Sequence, residues 1–123
     1  MLTIASAASD PEKNAFQATR NIGVGEGENR NPAAVAVPAG KRLVIEYVTM
    51  STPGDADMLF LAFSTQVAGV NVAHSISLKD NGGRVDRLVR MYSDSEVTIT
   101  VGKELSGGVE TVVTISGHLV DLP

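Results

Sequence analysis

The chain has 123 residues, 43% hydrophobic and 20% charged, which suits one globular domain around a single core. Its 10 Lys and Arg against 14 Asp and Glu leave a formal net charge of −4, which argues against nucleic acid as a partner. With no cysteine there is no disulfide or thiolate metal site, and no cofactor is expected.

The N-terminal stretch "MLTIASAAS" ends in small residues, as a signal-peptide cleavage region does. It lacks a positive leading region and its apolar part is short, so it is either the stub of a longer precursor or, the reading preferred here, a strand-like segment of the working chain. No apolar run is long enough to span a membrane, and no membrane insertion is expected. "SDPEKNAF" has the makings of a single helical turn, with Ser9 or Asp10 as cap and Pro11 as the first helical residue. "NIGVGEGENRNP" then reads as an extended piece and a glycine-rich loop. Gly23, Gly25 and Gly27 lack the spacing and the Lys-Ser/Thr ending of a phosphate loop.

From residue 33 the pattern changes to short apolar stretches divided by turns. "AAVAV", "PAGK" and "RLVIEYVTM" come first, then "STPGDAD", "MLFLAFSTQV" and "VNVAHSISL". The Asn-Gly pair in "DNGG" (80–83) is a strong hairpin signal, because a type I′ turn needs positive φ at both central residues. "RVDRLVRMY" carries a helical stripe at Val85, Leu88, Val89 and Tyr92, yet its β surroundings favour a strand. In "EVTITV", Val97, Ile99 and Val101 alternate with Glu96, Thr98 and Thr100. In "VETVVTISGHLVD", Val113, Ile115 and Leu119 share one parity with Gly117, a glycine that signals a bulge or a close backbone approach. Glu46 alternates with Val44 and Val48, opposite Leu43, Ile45 and Tyr47.

The expected fold is therefore all-β: an antiparallel sandwich of jelly-roll type with about eight strands and at most one helical turn near the N-terminus. It forms a single domain over 1–123, with residues 1–32 as an N-terminal extended segment and glycine-rich loop and 33–123 as the sandwich core.

Candidate chemistry is thin. Asp55 and Asp57, with Glu26 and Glu28, offer only a fragment of a calcium site. Glu46, Asp86, Glu96 and Glu110 sit on predicted strands, where a small hydrolase would need two of them brought together. Glu46 reads more simply as an edge or interface carboxylate paired with a basic residue. His74 shares parity with Val70, Val72 and Ile76 and is expected to be largely buried; His118 is expected to face outward among threonines and serines. No G-x-S-x-G elbow occurs, and no acid is identifiable beside the histidines. Arg84, Arg87 and Arg90 split between two strand faces.

"VPAGKRLVIEYVT" (37–49) and "ISGHLVDLP" (115–123) resemble segments of small, uncharacterised bacterial β-sandwich proteins, many of them exported. In that group such segments open and close the sandwich. The resemblance implies a fold and no reaction, and it favours an extracellular or cell-surface location over the cytoplasm.

Open sandwich edges and the doubly apolar "MLFLAF" point to a non-catalytic assembly subunit whose partner is itself, joined by its N-terminal strand or an edge strand. Leu2, Ile4, Phe16, Leu59, Leu61 and Phe63 are the interface candidates. The alternative is an exported module that binds a glycan or cell surface; only Tyr47, Tyr92 and the phenylalanines are available as an aromatic platform, which counts against it.

Overall fold

The computed structural model describes residues 14–27, 29–52, 60–77, 84–103 and 108–123. Eight strands follow in order: β1 (Ala15–Val24), β2 (Arg30–Val35), β3 (Lys41–Ser51), β4 (Phe60–Val67), β5 (Val70–Ser77), β6 (Val85–Ser93), β7 (Val97–Gly102) and β8 (Val109–Asp121). They form two four-stranded sheets, β1-β8-β3-β6 and β2-β7-β4-β5, with every pairing antiparallel. This is the jelly-roll order, in which every connection except the β4–β5 hairpin passes between the two sheets. The stretch 84–92 is strand and belongs to β6.

The inner faces form one core. Ile22, Val24, Leu43, Ile45, Val48, Met50, Val113 and Ile115 come from the first sheet; Val35, Leu61, Phe63, Val97, Ile99 and Val101 come from the second. The alternation read in β7 and β8 is the alternation observed: Val97, Ile99, Val101, Val113 and Ile115 are fully buried. Each such side chain contributes about 1.5–3 kcal/mol of burial free energy.

The sandwich starts earlier than residue 33. β1 is an edge strand that supplies Ile22 and Val24 to the core. Arg20 stands at the inward parity of this strand, between Ala18 and Ile22, and hides its alternation. Instead of entering the core, its Nε donates a hydrogen bond to the Ala34 carbonyl on β2, at 2.9 Å. Asn31 Nδ2 returns the link by donating to the Gly23 carbonyl at 2.7 Å. The β1 and β2 edges, one from each sheet, are thus stitched together.

Strand β3 changes phase part-way. Leu43 and Ile45 point into the core and so do Val48 and Met50, because Glu46 is an extra residue between two regular halves. Tyr47 therefore faces out, not in as counting by twos suggests. Gly117 lies opposite Ile45, and a Cβ there would overlap the Val44 carbonyl oxygen. Only glycine admits this approach, the role its place in the strand signals. Gly117 and Ser116 are adjacent on β8, Ile45 and Tyr47 have one residue between them on β3, and Met91 and Leu88 have two on β6.

The β4–β5 hairpin turns on Ala68 and Gly69, with φ of 51° and 80°. Both values are positive, as a two-residue type I′ turn demands. Asp94, beyond the end of β6, accepts a hydrogen bond from the Ala68 N–H at 2.8 Å and two from Arg42, from Nε at 2.5 Å and Nη2 at 3.0 Å. The Arg42 guanidinium, helped by the Ala68 N–H, holds the Asp94 carboxyl below its usual range, and Asp94 in turn raises Arg42. Lys41 pairs with Asp121 across β3 and β8 and lowers that carboxyl as well.

The helical turn expected near Pro11, the Asn81-Gly82 turn and the carboxylates Glu28, Asp55 and Asp57 lie outside the described residues.

Candidate functional site

The outer face of the β1-β8-β3-β6 sheet brings together side chains that are distant in sequence. Ladder register orders them in rows across the sheet. Ala15, His118, Val44 and Tyr92 form one row; Gln17, Ser116, Tyr47 and Leu88 form the next. Thr19, Thr114, Thr49 and Asp86 make a third, and Asn21, Val112 and Ser51 a fourth, with Arg84 beside its open end. Apart from the charges at the bulge and on β6, these rows are built of hydroxyls, amides and a few apolar groups. Thr19 and Thr114 share a hydrogen bond at 2.9 Å, and Gln17 reaches Ser116 at 3.5 Å.

The bulge sets Glu46 beside His118, with His118 Nδ1 at 2.6 Å from Glu46 Oε1. The ring N–H donates to the carboxylate, so the imidazole has an orienting acid that the sequence did not reveal. No described hydroxyl bonds its other ring nitrogen, and a nucleophile is what a Ser-His-acid arrangement requires. Glu46 is 45% exposed and His118 25%, so the pair stands at the surface rather than in a closed site. His118 faces outward, as expected. His74 is half-buried opposite Phe63.

On the far side of β3, the Tyr47 hydroxyl donates to Asp86 Oδ1. Beside them lies a groove of about 420 Å³, lined by Thr49, Ser51, Arg84, Asp86, Val112 and Thr114. Its size is within the range of small-molecule sites. Glu96 and Glu110 are exposed; Glu96 precedes β7 in the other sheet, and Glu110 stands on this outer face one row beyond Val112, with its carboxylate against Gly23. Among the described residues, no group of three or more His, Asp and Glu is placed to hold a metal ion.

Among the six interface candidates, Leu2, Ile4 and Leu59 are outside the described residues. Phe16 is half-buried against the core. Leu61 and Phe63 are fully buried in the chain's own core, so neither offers a docking surface. The reason is position: β4 is an inner strand, held between β7 and β5, and its odd-numbered residues face the opposing sheet. Exposed apolar side chains of the described residues include Val70 and Val72 of β5, the strand next to β4, at 63% and 37%, and, in the other sheet, Leu88 of β6 at 81% and Val112 of β8 at 42%. The signal for β5 in the sequence is "VNVAHSIS", a stretch without Asp, Glu, Lys, Arg or Pro.

No family model matches the chain, and no curated protein is similar to it. Solved structures with a similar course include the Drosophila NLP core, described in terms of pentamer formation and histone binding. It is 17% identical, with a TM-score of 0.42, covering 85% of this chain and 99% of that one. TmCBM61, solved with β-1,4-galactotriose, is 12% identical with a TM-score of 0.43, over 90% and 84% of the two chains. The Yersinia pseudotuberculosis-derived mitogen is 9% identical with a TM-score of 0.45, over 88% and 90%. Likeness at this level carries nothing about what the chain binds.

Proposed function

We propose that the chain is a non-catalytic assembly subunit that homo-oligomerises by strand addition at β5. The observation that carries this is the state of the edges. Among the described residues the sandwich has four edge strands, β1 and β6 in one sheet and β2 and β5 in the other. An open edge is a template for pairing, and charge, proline or cover normally blunts it. β1 carries Arg20, β2 carries Arg30 and Pro32, and β6 carries Asp86, Arg87 and Arg90. β5, "VNVAHSIS", has no Asp, Glu, Lys or Arg and no proline.

Its faces support the same reading. Register sets Val72 opposite Thr65 and Ile76 opposite Leu61, so Val70, Val72, His74 and Ile76 point to the core side of the sheet. Ile76 is covered there, whereas Val70 and Val72 are core-type side chains left partly open. Among the described residues, no element other than β4 hydrogen-bonds to β5. A second β5 suits this edge because antiparallel self-pairing needs only one surface, used twice about a two-fold axis. It also brings no Asp, Glu, Lys or Arg of like charge together. Among the described residues no hydroxyl nucleophile joins the Glu46–His118 pair, which supports a non-catalytic role.

Light scattering with sedimentation tests the proposal. The wild-type chain is expected to run above the single-chain mass, and Val72→Lys to fall to that mass with its β-sheet circular dichroism retained. A monomeric wild type, or an unchanged mass in the variant, would overturn it. Deleting residues 1–13 separates this route from exchange of the N-terminal segment, since only the latter predicts that this deletion dissolves the assembly.

One observation favours a second reading, an exported module that binds a glycan or cell surface. Both tyrosines face out on the β1-β8-β3-β6 sheet, in adjacent rows, with Tyr92 39% exposed. An exposed aromatic ring beside hydroxyls and amides is what the apolar face and polar rim of a sugar require.

A further inference from the structure

We infer that the groove between β8, β3 and β6 binds a neutral polyol, the vicinal-hydroxyl edge of a sugar. This rests on the second reading above and gives it a location and a chemistry. The groove offers a mixed set of hydrogen-bonding groups. Asp86 accepts, Arg84 donates, and Thr49, Ser51 and Thr114 can do either.

Thr114 already shares a hydrogen bond with Thr19 and keeps only its remaining capacity for a ligand. Among the described residues Asp86 has Tyr47 as its partner, which fixes one carboxylate oxygen and leaves the other open. Arg84 forms no ion pair among the described residues, and no hydrogen bond from another residue engages the side chains of Thr49 or Ser51. Two neighbouring hydroxyls on a ring present donors and acceptors at the spacing that a carboxylate oxygen, a guanidinium and a row of hydroxyls can meet together.

Charge decides the class of ligand. Among the described residues one carboxylate and one guanidinium line the groove, and their charges cancel. A phosphate would meet Asp86 and a divalent cation would meet Arg84, and each would be repelled by half of the site. A neutral ligand pays neither cost. Val112, 42% exposed, adds an apolar surface for the C–H side of a sugar ring. Tyr47 holds Asp86 from the adjacent row and links the groove to the tyrosine side of the face.

The test is a ¹⁵N-resolved NMR titration of the whole chain with galactose, glucose and mannose, and separately with inorganic phosphate and calcium chloride. A neutral sugar is expected to give saturable shifts at the amides of Thr49, Ser51, Val112 and Thr114. Asp86→Asn, which keeps the shape of the site, is expected to weaken that binding about tenfold, the worth of one charge-assisted hydrogen bond. Ser51→Ala is expected to act in the same direction with the fold untouched. Shifts at these amides with phosphate or calcium alone would overturn the polyol assignment. Sugar-dependent shifts confined to Val44 and Tyr92 would overturn the groove and leave the glycan-binding reading standing. No shift with any sugar would overturn both.

Discussion

The two sides of the sandwich are finished differently. At the β1–β2 side, Arg20 and Asn31 reach from one sheet to backbone carbonyls of the other, and Arg30 and Pro32 blunt what remains. At the β5–β6 side, β5 keeps an edge without Asp, Glu, Lys or Arg and exposes two valines on its core-facing surface. A chain that can seal one side with side-chain-to-carbonyl hydrogen bonds has the means to seal the other. The contrast teaches that exposure at β5 is a property of that edge and not the ordinary condition of the fold.

The comparison can be broken from either side. The largest effect is expected from Val72→Lys, which buries an unpaired charge at the proposed contact and weakens self-association about a hundredfold or more. The matched control is a lysine at Asn21 on the outer face of β1, which should leave the mass unchanged. Gly117→Ala comes next. Overlap with the Val44 carbonyl forces the backbone to move, at a cost of about 3 kcal/mol in urea unfolding. It should also pull His118 from Glu46, readable as a changed imidazole chemical shift.

Arg20→Ala unseals the closed side and is expected to cost about 1 kcal/mol, the worth of one hydrogen bond to backbone. If that variant also gained mass, the seal would be shown to prevent assembly at β1–β2. Ala68→Asn should stabilise by about 0.5–1 kcal/mol, because asparagine accepts the left-handed conformation more readily than alanine.

The smallest effect is read along the pH axis. Asp94 and Asp121 have folded pKa values below the unfolded carboxylate value, so their stabilisation is present above that value and is lost as pH falls through the depressed one. Asp94→Asn should flatten this acid limb while leaving the rest of the stability profile in shape.

Much of the architecture is legible in the sequence where strands are regular. β7 and the first part of β8 keep strict alternation, and their inward residues are those that counting by twos selects. β1 escapes because Arg20 occupies an inward position, and no local pattern shows that its guanidinium leaves the core for a carbonyl on β2. β3 escapes past Ile45 because one extra residue inverts the count, which turns Tyr47 outward and Val48 inward. The Glu46–His118 pair and the groove follow from that inversion, since both depend on which residue of β3 stands beside which residue of β8. Gly117 marks a close approach in the sequence, but the strand that approaches it is not named there.

The spacing around Glu46 has a wider consequence. Between the same two rows β8 spends one step, β3 two and β6 three, so contour length grows toward the β6 margin like the outer lanes of a curved track. A margin longer than its neighbour must flare or buckle, and a flared strand is a poor ruler against which to lay a straight one. The first sheet thus ends in a ruffle, and the second, at β5, ends in a straight hem.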